Sequence, residues 1–266
     1  MTASLVRIGN QSAFSAPSLL APFDFAVQNG FDAFEWFPDR RDEAGWDPVD
    51  MLAAQRQELR HRARDAGISL SVHAPIPVEP LRPGAERGFE DSLRLAVDLG
   101  AGLLNIHFSD PARLEEYARA VAPWIEQCKA AGVRLALENV PAVGPEDFNR
   151  LFGLLPRSGV GMTLDVGHAN LHSTTWNDYI SYLDRLHPEV PIIHVHLHEN
   201  HGDRDSHLVV FTGPASKDPA GIRALFERLS RRGFDGNVIL EQWPEPSSLL
   251  VMARDRLVEL LREETV

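Results

Sequence analysis

Eight short apolar runs, each followed by a stretch of helical character, recur along the chain at roughly 30-residue spacing, and a repeat of that kind leaves few ways to fold. Parallel strands cannot be joined by a tight turn; each needs a crossover, which a helix supplies. The strand-like runs are residues 5–9, 33–36, 68–73, 103–107, 133–138, 160–165, 190–197 and 237–241. Helical stretches follow at 19–29, 48–66, 84–99, 111–132, 145–155, 175–186, 219–233 and 246–263. Asp47-Pro48, Asp110-Pro111 and Asp218-Pro219 are good helix starts, because Asp caps free amides and Pro suits the first helical position. Gly67, Gly132 and Gly233 are placed to end those helices.

Two architectures accept such a repeat: a doubly wound open sheet, and a (β/α)8 TIM barrel with its strands closed inside a ring of helices. Strand parity favours the barrel, as a single domain over residues 1–266. Ile68, Leu70 and Val72 share one face, and Ser69, Ser71 and His73 the other. Leu104 and Ile106 oppose Asn105 and His107 in the same way. Val133, Leu135 and Leu137 oppose Arg134, Ala136 and Glu138, and Val160, Met162 and Leu164 oppose Gly161, Thr163 and Asp165. Each strand therefore ends in a polar residue on the presumed inner face, at the carboxyl end, where barrels of this class carry their sites.

The stretch IIHVHLHENHGDRDSH, residues 192–207, holds five of the eleven histidines. His194, His196 and His198 alternate with Ile193, Val195 and Leu197, so a strand here carries imidazoles on one face and aliphatic groups on the other. The barrel geometry brings His73, His107, Glu138, Asp165, His196 and Glu241 round one mouth, with His168 just above the sixth strand. Mixed carboxylate and imidazole donors suit a divalent transition metal, Mn2+ or Zn2+ foremost with Co2+, Fe2+ or Mg2+ as alternatives, and not the all-oxygen preference of calcium.

Composition narrows the partners. At 44% hydrophobic the chain buries a substantial core, and its formal charge of -12 disfavours a nucleic-acid backbone or an anionic membrane as a partner. The lone Cys128 suits a reducing compartment, so a cytoplasmic location is expected. The first residues lack the form of a signal peptide, and no run of about 18 apolar residues predicts a membrane span.

The fragments SVHAP, LNIH, ALENV, TLDVGHAN, HVHLHENHGDRDSH and ILEQ, in this order, resemble the xylose isomerase-like barrel superfamily of sugar isomerases, sugar epimerases and endonuclease IV. The resemblance covers the third to eighth strands. Through its ketose epimerase branch it implies metal ligands at Glu138, Asp165, His196 and Glu241, with Glu138 and Glu241 also serving as acid and base and His168 binding substrate. Through its endonuclease IV branch it implies a three-zinc cluster, whose nine ligand types are matched here by those four together with His73, His107, His168, Asp205 and His207. Two departures weaken the nuclease match: His73 is followed by Ala-Pro-Ile-Pro, without the tyrosine and asparagine of the nuclease type, and His207 by LVVFTG where relatives of either branch carry a leucine-glycine pair and a glycine-rich turn.

The expected activity is a divalent-metal-dependent isomerisation or epimerisation of a small carbohydrate-like hydroxy-ketone through an enediolate, with His73, His107 and His168 contacting substrate. An abasic-site nuclease, a related lyase or dehydratase, and a metabolite-binding barrel without turnover are the alternatives. Other residues carry plainer expectations. His194 is a core histidine or a participant in chemistry, and His198 and His201 are solvated loop residues. His61, His172 and His187 are expected at the surface. Arg7 and Arg134 point into the lower barrel, where either pairs with Glu35. Trp36 and Trp243 form an apolar wall for substrate or pack against neighbouring loops. Residues 213–217 bind phosphate or simply begin a helix.

Overall fold

A computed structural model describes residues 6–13, 15–40 and 45–263. Among them, eight strands close into one parallel barrel in sequence order: β1 (Arg7–Gln11), β2 (Ala33–Trp36), β3 (Ser69–His73), β4 (Leu103–Phe108), β5 (Arg134–Asn139), β6 (Val160–Asp165), β7 (Ile192–His196) and β8 (Asn237–Leu240). Closure comes from β1 pairing with β8, with Ile8 opposite Val238 and Asn10 opposite Leu240. Leu5, expected to begin the first strand, lies outside the described residues. The helices α1 (Ala21–Asn29), α2 (Ala53–Asp65), α3 (Ala85–Leu99), α4 (Leu114–Ala130), α5 (Pro145–Phe152), α6 (Val166–Leu171), α7 (Tyr179–Arg185), α8 (Ala220–Arg231) and α9 (Ser248–Glu263) accompany the sheet. None of the described helices is long and apolar enough to cross a membrane.

The apolar strand faces pack beneath the helices. Phe34, Trp36, Val72, Leu104, Ile106, Leu135, Leu137, Met162, Leu164, Val195 and Leu240 are all at most 1% exposed within one continuous core. Trp36 is enclosed by Phe23, Phe34 and Trp46 at ring separations of 4.8–6.0 Å, and Trp243 meets Phe25 edge-on. Both tryptophans are thus packing residues, the second of the two readings above.

Helix starts are where the fold departs most from the pattern. Pro48–Asp50 is a 3-10 turn, ended by Met51 in an extended conformation; Leu52 is extended as well, and α2 starts only at Ala53. The Asp50 carboxylate accepts the Asp47 amide, and the Arg56 guanidinium donates to the Met51 carbonyl, so the break is held by side chains from both sides. Pro111–Arg113 forms a similar turn ahead of α4. The six-residue α6 is an addition to the simple repeat, starting directly from the last residue of β6. One strand slips as well: between Met162 and Thr163 the register with β7 shifts, so Ile193 is an extra residue and breaks the alternation at its first step. Its side chain occupies the space left by Gly161, where an added Cβ would lie 2.6 Å from it.

The inner face has little room to spare. A Cβ on Gly9 would lie 2.3 Å from the Ala33 carbonyl oxygen, a backbone atom that cannot rotate away. Replacement Gly9→Ala is therefore expected to destabilise the barrel by about 1–3 kcal/mol through forced strand separation, read as a lower urea midpoint with an unchanged slope.

Candidate metal centre

The carboxyl ends of the strands deliver the expected residues to one mouth. His73 ends β3, Asp165 ends β6, His196 ends β7, and Glu241 follows β8 by one position. His107 and Glu138 stand side by side on β4 and β5; with His73, Glu241 and, from above, His168, Asp205 and His207, they line a cavity of about 350 Å3, and Asp165 and His196 are buried beside it. All nine residues anticipated as ligands therefore meet at this rim or directly beneath it.

Glu138, Asp165, His196 and Glu241 form the inner group, each offering a ligand atom within 4.8 Å of the others. His196 Nδ1 lies 3.0 Å from Glu241 Oε1, 3.3 Å from Glu138 Oε2 and 3.9 Å from Asp165 Oδ2. None of these approaches has the alignment of a hydrogen bond: both ring nitrogens of His196 and Glu241 Oε2 are buried without a partner. Converging donors that fail to satisfy one another fit a divalent cation between them. Beside them, His73 Nε2 approaches Glu138 Oε2 at 3.1 Å, while its Nδ1–H donates to the Ala74 carbonyl at 2.6 Å. His107 Nε2 lies 3.4 Å from Glu138 Oε1.

A polar layer underneath fixes these groups. Glu35, fully buried, accepts from Gln11 Nε2 at 3.0 Å, Ser71 Oγ at 2.9 Å and His194 Nε2 at 2.9 Å, and lies 2.9 Å from His196 Nε2. The expected pairing of Glu35 with Arg7 or Arg134 does not occur. Arg134, the first residue of β5, is exposed, and Arg7 donates to the Asp235 carbonyl, because both sit at the open lower rim where water reaches them. His194 is thus a core histidine, paired with Glu35 through Nε2. On the other side Asn105 donates to Glu138 and accepts from Thr163 Oγ1 at 2.7 Å. Gln11, Ser71, Asn105 and Thr163 carried no expected role, although their inward parity was the available signal.

A second group gathers His168, His198, Asp205 and His207, again with ligand atoms within 4.8 Å of one another. Asp165 caps α6 by accepting the His168 amide at 2.6 Å. The His168 ring then donates through Nδ1 to the Asn139 carbonyl at 2.8 Å and turns Nε2 toward Asp205 Oδ2 at 3.2 Å. Asp205 Oδ2 is also 3.0 Å from His207 Nε2.

His198, expected as a solvated loop residue, is 1% exposed, because the chain beyond β7 folds back over it. Its Nε2 lies 3.2 Å from both oxygens of Asp165, and its ring stacks on His207 at 3.9 Å. His172 is likewise buried rather than at the surface, donating through Nδ1 to the Pro141 carbonyl. His61, His187 and His201 are exposed as expected. The returning loop is pinned by buried Glu199, whose carboxylate accepts the amides of Phe211, Gly213 and Ala215 at 2.6–3.1 Å. Glu199 takes the Gly213 and Ala215 amides, those of Ser216 and Lys217 donate to the Gly213 and Pro214 carbonyls, and Pro214–Ser216 is a 3-10 turn ahead of α8, so the amides a phosphate would need are used.

Burial opposes charge at every one of these groups, and their mutual attraction overrides it. Burial pushes Glu138 up, but His196 and His107 hold it well below the usual carboxylate range. Glu35, Asp165 and Asp205 are lowered against burial by their imidazole neighbours. Burial disfavours the imidazolium of His168, yet Asp165 and Asp205 raise it to about 10, and Asp205 and Glu241 raise His207 to about 9. His196 is held well above its ordinary value by Glu241, Glu138 and Glu35, whereas for His194 burial wins and lowers it.

Removing Glu35 strands two imidazoles in the barrel interior. Glu35→Ala is expected to cost about 3–5 kcal/mol, measured by urea unfolding, far more than a surface carboxylate would.

Comparison with known proteins follows the same lines. The uncharacterized protein MJ1311 of Methanocaldococcus jannaschii is 26% identical over 254 residues, covering 86% of this chain and 80% of that one. A crystal structure of a D-tagatose 3-epimerase-like protein superposes with a TM-score of 0.76 at 20% identity, over 98% of this chain and all of that one. The TTHB071 protein from Thermus thermophilus, studied after soaking with zinc chloride, gives 0.67 at 23% identity, over 93% and 97% of the two chains. These likenesses concern the fold. Residues 23–262 match the family model described as xylose isomerase-like TIM barrel, and the chain belongs to that family.

Proposed function

We propose that the protein is a divalent-metal-dependent isomerase or epimerase of a small sugar or polyol-derived hydroxy-ketone. The observation that carries the reading is the placement of Glu138 and Glu241, on strands three apart in the ring, against the same nitrogen of His196 at 3.3 and 3.0 Å. Similarity to a D-tagatose 3-epimerase-like protein supports it.

Glu138, Asp165, His196 and Glu241 would hold the cation; their three carboxylates suit Mn2+, with Zn2+ the alternative. Bound there, it supplies Lewis acidity, polarising a carbonyl and stabilising negative charge on its oxygen. Glu241 Oε2, buried and without a hydrogen-bond partner, is free to take a proton from the carbon beside the carbonyl. Glu138, flanked by His73, His107 and Asn105, returns one. Because the two carboxylates approach from different strands, they can act on opposite faces of a planar enediolate, which inverts the carbon; return to the neighbouring carbon isomerises instead. His73, His107 and His168 offer ring nitrogens to substrate hydroxyls, and Phe37, at 4.3 Å from the His73 ring, gives the cavity an apolar wall. The lone, buried Cys128 suits the proposed cytoplasmic location.

Catalysed exchange of solvent deuterium into a panel of ketoses, abolished by chelator and restored by Mn2+ or Zn2+, tests the reading. Glu138→Gln and Glu241→Gln should each slow exchange by about 100- to 10,000-fold. Inertness over the whole panel with the cation bound counts against it. Since all nine residues anticipated as ligands converge here, nuclease chemistry is the second reading; chelator-sensitive incision of an abasic duplex would establish it in place of the first. Cation uptake should also release protons. The His196 imidazole, held well above its ordinary value by Glu241, Glu138 and Glu35, must give up its proton before its nitrogen can coordinate, so affinity rises with pH. Calorimetry in buffers of different ionisation enthalpy measures this.

A further inference from the structure

We propose that a second cavity, walled off from the barrel mouth by His198, is a binding site for a small uncharged polyhydroxylated molecule, a sugar or sugar alcohol. The site goes beyond the proposed reaction, which uses none of the residues that line it.

The cavity, about 370 Å3, opens between α6, the start of α7, the loop beyond β7 and the start of α8. Its size falls within the roughly 300–1,000 Å3 of small-molecule sites. Among the described residues it shares no lining side chain with the mouth. His198 is the partition. Its ring stacks at 3.9 Å on His207, which lines the mouth, and its Nε2 faces Asp165, while the same residue lines the second cavity.

The lining is fixed by its own contacts. The Asn177 amide donates to the Asn170 carbonyl at 2.9 Å, and Asn170 Nδ2 donates to Asn200 Oδ1 at 2.9 Å. Asn200, 2% exposed, donates in turn to the Gly167 carbonyl. A Cβ on Gly202 would lie 1.9 Å from Asn177 Oδ1, and one on Gly221 would lie 2.4 Å from the Tyr179 hydroxyl, so glycine at both positions makes room for polar groups of the lining. Two such groups lack a partner in the protein. The hydroxyl of half-buried Tyr179 has no hydrogen bond among the described residues, and His198 Nδ1 is buried without one. Unsatisfied polar atoms in an ordered wall are where a ligand or a fixed water belongs.

The chemistry of the lining selects the class of ligand. Among the described residues no lysine or arginine lines the cavity, so a phosphate or carboxylate meets no such cation there. The Glu199 carboxylate is spent on three amides, and Asp218 keeps one oxygen free while the other accepts the Ala220 amide. Amides at Asn170 and Asn177 both donate and accept, the Tyr179 hydroxyl does the same, and Asp218 accepts. That mixture matches hydroxyl groups, each of which gives one hydrogen bond and takes others. Val166, Ala215 and Ile222 add an apolar wall against which the C–H face of a sugar can lie.

Saturation-transfer NMR and calorimetry on the full chain, with Mn2+ present and again after chelation, test this with sorbitol, D-fructose and D-glucose, the 6-phosphates of the two sugars, and ethanolamine as a cationic probe. At least one uncharged probe is expected to bind equally well with and without the cation. Tyr179→Phe, which loses one hydrogen bond, should weaken it about 3- to 10-fold. Gly221→Ala drives the phenol out of place while favouring the helix it sits in, and should weaken binding at least as much. Binding should survive Glu241→Gln, and circular dichroism checks that all three variants fold. The proposal is overturned if no uncharged probe binds, if binding is lost on chelation or with Glu241→Gln, which puts the molecule in the mouth, or if it withstands Tyr179→Phe and Gly221→Ala. Tighter binding of a phosphate ester or of ethanolamine overturns it as well, by giving the cavity a charged ligand. Deuterium exchange at the mouth is read separately, so loss of the proposed function and loss of this site are distinct results.

Discussion

Carboxylates enclosed at the rim of a closed sheet lose most of their hydration, and the surrounding polar groups are arranged to replace it. Glu35, Glu138 and Asp165 are at most 1% exposed, a placement that an isolated carboxylate in a low-dielectric interior would answer by taking up a proton. Each instead keeps its charge because imidazoles face it: His194 and His196 at Glu35, His73, His107 and His196 at Glu138, and His168 and His198 at Asp165. The barrel supplies those partners from several different strands, so the electrostatics of the mouth depend on closure of the sheet.

The arrangement is built in tiers. Gln11, Ser71 and His194 hold Glu35; Glu35 and the two glutamates at the rim surround His196 without satisfying it; Asn105 and Thr163 hold Glu138 from the other side. Above them, Asp165 serves two purposes, presenting its carboxylate to the mouth and capping α6, which sets the His168 ring in place. Glu199 plays the corresponding part for the loop beyond β7, gathering three amides so that Asp205 and His207 return over the rim. Groups that carry chemistry are held by neighbours whose own rotamers are fixed, the condition for a preorganised site.

Much of this was readable in the chain. Strand parity placed His73, His107, Glu138, Asp165 and Glu241 at one rim, because side chains alternate strictly along a strand and a barrel has only one interior. His198 and Glu199 were not readable. Both lie beyond the last paired residue of β7, where the period of two no longer binds the chain, and both are buried by a loop whose path is set by three amide contacts to Glu199. Arg7 and Arg134 show the opposite error. Their parity is inward, but they stand at the first residue of their strands, where inward means the open end and water.

By itself the sequence determined the number and order of the strands, the face each turns inward and the chemical character of the rim, since all three follow from local periodicity and residue type. Only the tertiary structure decided which polar group meets which. Glu35 and His194 are 159 residues apart, and their contact depends on the registers of a closed ring and on an extra residue at Ile193, to which local pattern is blind.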